Sequence, residues 1–171
     1  MAHGVIRTDL MQGTDVRDGL VSVQYLGADG ETPTAIDNGC VLKVEALKEG
    51  EREIYVGADV AANTPLKDVV IIASPEVMYD ERLRNLTDFY NEAGKIARGY
   101  RFHTNSVFSV TKTVLSGAET PAVGDIVELA AGTKLNVVAA ATGATNGSTV
   151  VGKIIAIDVV GTLTYYVIKI G

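Results

Sequence analysis

The chain is poor in the residues that usually carry chemistry. It has one cysteine, Cys40, so no disulfide can close within the chain and no cysteine-based zinc site can form. Two histidines, His3 and His103, leave little for imidazole catalysis or metal binding. Tryptophan is absent, and only 4 prolines accompany 18 glycines, so the turns depend on glycine. No unbroken aliphatic stretch is longer than that of residues 69–73, far short of the ~18–20 apolar residues of a membrane span. The first twelve residues have no apolar h-region, which predicts no secretory signal.

What is present points to strands. Val, Ile and Thr account for 51 of the 171 residues, an excess that suits pleated structure. Apolar residues make up 47% and charged residues 21%, which is globular composition. The net charge of −6 is unevenly placed. Residues 1–74 hold 6 basic and 12 acidic side chains, whereas residues 75–105 hold 5 of each and residues 106–171 hold 4 of each. A chain without clustered Lys or Arg is a poor partner for nucleic acid or anionic lipid.

The chain divides into four parts. Residues 1–19 read as an extended arm, whose Val5, Ile6, Leu10 and Met11 are apolar without a helical period. Residues 20–74 read as an N-terminal β-half. Its strand candidates are residues 20–26, 40–47, 53–56 and 69–73, with Asn38-Gly39 and Gly50 as turn signals. Residues 75–105 are expected to hold a helix and a connection. Leu83, Leu86, Phe89, Tyr90, Ala93 and Ile96 recur at steps of 3, 3, 1, 3 and 3, which predicts an amphipathic helix over about residues 79–98 with these six on its core face. Ser74-Pro75 would start it and Gly99 would end it.

Residues 106–171 read as a C-terminal β-barrel half. Five strand candidates, 106–115, 125–130, 134–140, 150–157 and 163–170, are separated by glycine turns. The expected fold class is therefore mainly β with one central amphipathic helix, an α+β arrangement built on a small barrel or sandwich. A faint echo at an offset of 85 residues aligns Gly39–Val44 with Gly124–Leu129 and residues 69–72 with 154–157, suggesting two related β-halves flanking the helix.

The sequence offers no catalytic set. A nucleophile needs a base in reach and a group that orients it, but His3 falls in the arm and His103 in a loop. Cys40 reads as a small buried apolar residue. The carboxylate pairs Asp15/Asp18, Glu49/Glu51/Glu53 and Asp80-Glu81 are local rather than arranged across a cleft. Neither a phosphate-binding glycine loop nor a Ca²⁺ loop pattern occurs. Six of the ten aromatics lie between residues 79 and 108, in a charge-balanced region that suits packing better than base stacking. The expectation is no catalytic residue, no metal, no cofactor, no nucleic acid and no membrane partner.

The run 73–82, continued through Asn91–Lys95, Arg98–Tyr100 and Phe108–Thr111, resembles proteins encoded among the head genes of tailed bacteriophages. The stretches 123–129, 151–155 and 166–170 are similar to the small β-barrels of capsid decoration, or cement, proteins. The resemblance implies a non-enzymatic virion structural protein. It would be made in the host cytoplasm, bind the major capsid protein on the outside of the head and associate with itself, often as a trimer. In that setting Val5, Ile6, Leu10 and Met11 are expected at a subunit or capsid interface. Two rival readings are a carbohydrate- or receptor-binding head-fibre or tail module and a small oligomeric β enzyme acting on nucleotides.

Overall fold

The computed structural model describes residues 2–8, 11, 19–80, 82 and 85–171. Two β units share them. The first is a closed barrel of β2 (Leu20–Tyr25), β3 (Val41–Leu47), β4 (Ile54–Ala58), β5 (Val69–Ile72) and β6 (Ala97–Arg101), in the order β2-β4-β3-β5-β6. β2 and β6 close it, with Leu20 opposite Tyr100 and Val23 opposite Ala97. Strand β5 is apolar at all four positions and fully buried, because a central strand of a small barrel is covered on both sides. Val23, Val41 and Leu42 complete that core.

The second unit is a seven-stranded sheet. It contains β1 (Ile6–Arg7), β7 (Val107–Thr111), β8 (Leu115–Gly117), β9 (Ile126–Leu129), β10 (Leu135–Val138), β11 (Val150–Val160) and β12 (Leu163–Ile170), in the order β1-β7-β12-β11-β9-β10-β8. Phe108, Leu129, Leu135, Ile154, Ile168 and Ile170 fill its core. Gly152 sits where β11 crosses β12, and a Cβ there would run into the Lys169 carbonyl. That close approach requires glycine.

The two units repeat one strand plan. A 3₁₀ turn at Lys112–Val114 separates β7 from β8, which together act as one bent strand. β8 pairs parallel with β10 as β2 pairs parallel with β4, and β7 pairs antiparallel with β12 as β2 does with β6. The β9–β10, β9–β11 and β11–β12 ladders match β3–β4, β3–β5 and β5–β6, all antiparallel. Gly39 and Gly124, at the same place in the plan, both have positive φ, 87° and 96°.

The expected central helix is absent, and with it the α+β class. The protein is mainly β, with no helix of seven or more residues among those described. Among the described residues of 79–98, a 3₁₀ turn at Leu86–Asp88 is the one helical element, and Ala97 already belongs to β6. Local side chains compete for the backbone. Asp80 accepts the Arg82 N–H at 3.0 Å, and Asp88 accepts the Asn85 N–H at 3.2 Å. Asn91 exchanges both backbone hydrogen bonds with Ile36 at 2.9 Å, and Gly94 takes φ 80°. Polar residues that bond the backbone outside a helix outweigh an apolar period of this length.

The expected helix core face is consequently not a core. Leu86 and Ile96 are 48% and 52% exposed, Tyr90 and Ala93 are exposed, and Phe89 is half-buried. Leu83 lies outside the described residues. Of the residues expected at an interface, Val5 and Ile6 are buried within the chain, where Ile6 pairs with Val110 of β7. Met11 packs partly buried against the core, and Leu10 lies outside the described residues.

Urea denaturation separates these environments. Leu86→Ala should change stability by less than about 0.5 kcal/mol, as exposed truncations do, whereas Ile71→Ala in β5 should cost about 2–5 kcal/mol.

Candidate functional site

Asn38, in the loop between β2 and β3, is completely buried. Its Nδ2 donates to the Ser74 carbonyl at 2.8 Å and to Glu76 Oε1 at 3.3 Å. Its Oδ1 accepts from the Ser74 N–H at 2.9 Å and from Asn91 Nδ2 at 3.1 Å. Asn91 Nδ2 also donates to the Ile36 carbonyl at 3.1 Å. These bonds pin both ends of the connection from β5 to β6. A second fastening comes from the N-terminal segment. His3 Nδ1 lies 2.8 Å from Asp37 Oδ1, and the His3 ring stacks on Tyr90 at 4.6 Å. The His3 N–H donates to the Thr87 carbonyl at 2.8 Å.

Between the pins, described residues of the connection border a groove of about 720 Å³. Val77, Tyr79, Phe89, Tyr90 and Ile96 give it an apolar character, and Tyr79 is 97% exposed. Lys95, Arg98 and Glu92 stand around it, with Asp80 tied to Arg82 and Asp88 to Asn85.

The second surface is the β11–β12 hairpin, turned by Gly161-Thr162. β9 pairs with β11 only over Val150–Lys153. Beyond Ile154 the strand-to-strand ladder of β11 runs to β12 alone, among the described residues. A bulge at Ile155 shifts the register there. Ile155, Ile157, Val159 and Val160 are exposed, Val159 by 72%. Asp158 is the one charged residue between positions 154 and 164, and Arg7 Nη2 approaches it at 3.5 Å while lying over the Tyr165 ring.

The other chemically suggestive residues hold the fold. Cys40 is buried, and that burial, aided by the Asp37 charge, pushes its thiol up to about 11, so it stays protonated at neutral pH. Glu128 is buried and accepts from Asn136 Nδ2 at 3.0 Å and the Thr145 N–H at 2.8 Å. Burial pushes its carboxyl up, but these hydrogen bonds outweigh burial and leave it below its ordinary value. Asp125 ties the Ala122 and Ala140 N–H groups at 2.8 and 3.1 Å. His103 lies in the connection between β6 and β7, its carbonyl taking the Ser106 N–H at 3.0 Å. Among the described residues, no three His, Cys, Asp or Glu side chains cluster as a metal site.

Sequence reading missed Asn38, Asn91 and Glu128 as organising groups. Asn38-Gly39 carried a turn signal, which located the loop but not its partners. Nothing local marks Asn91 or Glu128, whose partners lie far away or in an irregular loop. The pairing of His3 with Asp37 spans 34 positions and has no sequence signature.

Asn38→Ala should cost about 2–3 kcal/mol, because it strands buried donors and acceptors, and limited proteolysis should then cut first within residues 74–96. Glu128 contributes stability that is fully present above the ordinary carboxyl value of 4.5 and is lost as pH falls through its lowered folded value. Glu128→Gln should therefore be less stable at neutral pH and lose less stability on acidification, as followed by urea midpoints against pH. No protein-family model, curated protein or solved structure matches the chain, so its function is argued from these two surfaces.

Proposed function

We propose that this protein is a non-enzymatic structural protein of a tailed-phage virion that binds the outer surface of the capsid. Its partners are the major capsid protein and copies of itself, and its action is to reinforce contacts between capsid subunits. It is made in the host cytoplasm and resides on the head exterior.

One observation carries the reading. Of twelve exposed large apolar side chains among the described residues, ten fall in two tracts. Five are on the segment 77–96 and five are on β11. Concentrated exposed apolar surface marks protein contact sites. The tracts are carried by two units locked together by backbone pairing, with Val60 and Gly132 exchanging hydrogen bonds at 3.0 and 3.1 Å. A rigid body with separated contact patches suits bridging between subunits. Multivalent attachment on a repeating lattice makes modest individual contacts effective. The exposed carboxylates Glu31, Glu49, Glu51 and Glu53 suit an outward face that keeps particles apart.

A second reading, glycan or receptor binding, is favoured by Tyr79 and Tyr90 beside the groove, since exposed aromatic faces stack on sugar rings.

Mixing purified protein with capsids that lack it, followed by electron cryo-microscopy, tests the first reading. Added density at fixed positions on the outer shell is expected. Bare shells at saturating protein would overturn it, and retention on immobilised glycans, abolished by Tyr79→Ala, would establish the second.

A further inference from the structure

The chain has seven asparagines, and two of them, Asn38 and Asn146, are followed by glycine. The other five precede Thr64, Leu86, Glu92, Ser106 and Val137, whose side chains crowd the next backbone nitrogen. Asparagine is thermolabile because that nitrogen can attack its side-chain carbonyl carbon. Glycine leaves the nitrogen unhindered and the backbone free to bring it round. The two Asn-Gly pairs thus share one latent reaction, and the fold treats them oppositely.

Asn38 is held. It is completely buried with four hydrogen bonds on its amide, and the Gly39 N–H donates to the Ile72 carbonyl at 2.7 Å. Both reacting groups are fixed. Asn146 and Gly147 are exposed, in the loop between β10 and β11. Among the described residues, no hydrogen bond holds the Asn146 side chain or the Gly147 N–H. Gly147 has φ 83°, and a Cβ there would meet nothing within 4 Å beyond its chain neighbours. We infer that Asn146 is a site of spontaneous deamidation, and that the reaction loosens the loop's hold on the second sheet.

The Gly147 nitrogen forms a bond to Asn146 Cγ and gives up its proton. The Cγ–Nδ2 bond breaks, and the amide nitrogen leaves as ammonia, taking up that proton. Water then opens the cyclic imide on either side of the ring nitrogen. Opening at Cγ leaves aspartate, and opening at the backbone carbonyl leaves an isoaspartyl link that runs through the side chain. Both products disturb one contact. Next in the chain is Thr145, whose N–H donates to the buried Glu128 carboxylate at 2.8 Å and whose carbonyl takes the Ser148 N–H at 3.0 Å. The isoaspartyl link adds a methylene to the backbone inside that turn. Either product sets a new negative charge beside a donor on which Glu128 relies, and like charge disfavours an ionised carboxyl.

Purified protein incubated at mildly alkaline pH, with and without guanidinium chloride, tests this without capsids and so apart from the proposed function. Tryptic peptides and fragmentation mass spectrometry read each site. In the native protein, peptide 135–153 should gain the mass difference between amide and acid at Asn146, while peptide 18–43 keeps Asn38 intact. In denaturant the two sites should convert alike. Gly147→Ala should slow conversion at Asn146 in both conditions, which separates the chemistry from any effect on the loop. In the converted native protein, the Thr145 N–H should lose protection from hydrogen exchange. Three results would overturn the inference. One is an intact Asn146 in native protein when the denatured sample has converted. Another is Asn38 converting as fast as Asn146 in the native state. The third is unchanged protection of the Thr145 N–H after conversion.

Discussion

The Asn38 side chain is the constraint on which the form of the first barrel's surface depends. It is completely buried, and the Ser74 carbonyl, the Glu76 carboxylate, the Ser74 N–H and the Asn91 amide all meet it within 3.3 Å. Each capacity of a buried amide that goes unmet is costly, so a fully met one fixes its neighbours sharply. Here the neighbours are the two ends of a long connection. With its ends fastened, the connection can do without regular secondary structure and still stay attached. The groove therefore combines a connection fastened by one well-satisfied asparagine with residues of β2 and β6, among them Ser22 and Ala97.

The N-terminal segment links that surface to the second unit. His3 and Gly4 hold Asp37 on the first barrel, while the next residues, Val5 to Arg7, join β7. At Gly4 the chain passes so close to Val114 and the Asn38 carbonyl that a Cβ would overlap both. The passage thus places the strap against Asn38 itself. Further backbone bonds, from the Val41 N–H to the Thr133 carbonyl at 2.8 Å and from the Thr149 N–H to the Ala62 carbonyl at 2.7 Å, tie the units together. Coupling through backbone hydrogen bonds and close packing leaves little room for the units to slide.

Most strands were legible because their signals are local. Alternating or continuous apolar runs between glycine turns located β2, β3, β4, β5, β7 and the strands from β9 to β12 within a few residues, whereas β8 was merged into the strand expected over 106–115. β6 was hidden inside the helix expectation. The 3-and-4 spacing from Leu83 to Ile96 is real, but a period reports only which residues could share a face. It does not report that Asn91 will pair with Ile36 or that Asp88 will claim the Asn85 N–H. Those partners are decided by the barrel, which needs Ala97–Arg101 as a closing strand between β2 and β5. The surfaces were harder still to read. Ile155, Ile157 and Val159 look in sequence like any buried strand, and only the early end of the β9 ladder leaves them exposed.

The repeated strand plan connects the two surfaces. In the first unit the connection from β5 to β6 runs through residues 73–96 and carries the groove. In the second unit the equivalent connection, from β11 to β12, is the two-residue turn at Gly161-Thr162 that closes the β11–β12 hairpin. One position in a common plan has thus been lengthened in one half and tightened, with long strands, in the other. Shared strand order keeps both cores alike, since the ladders fix which residues point inward. The connection is free of that restriction because it lies outside the ladders. The two halves consequently differ most where they meet their surroundings. They also differ in charge, the first 74 residues holding the entire net −6 and the rest being balanced. A barrel and a sheet of one strand plan, with unmatched connections and unequal charge, present two different faces, which a symmetric pair could not.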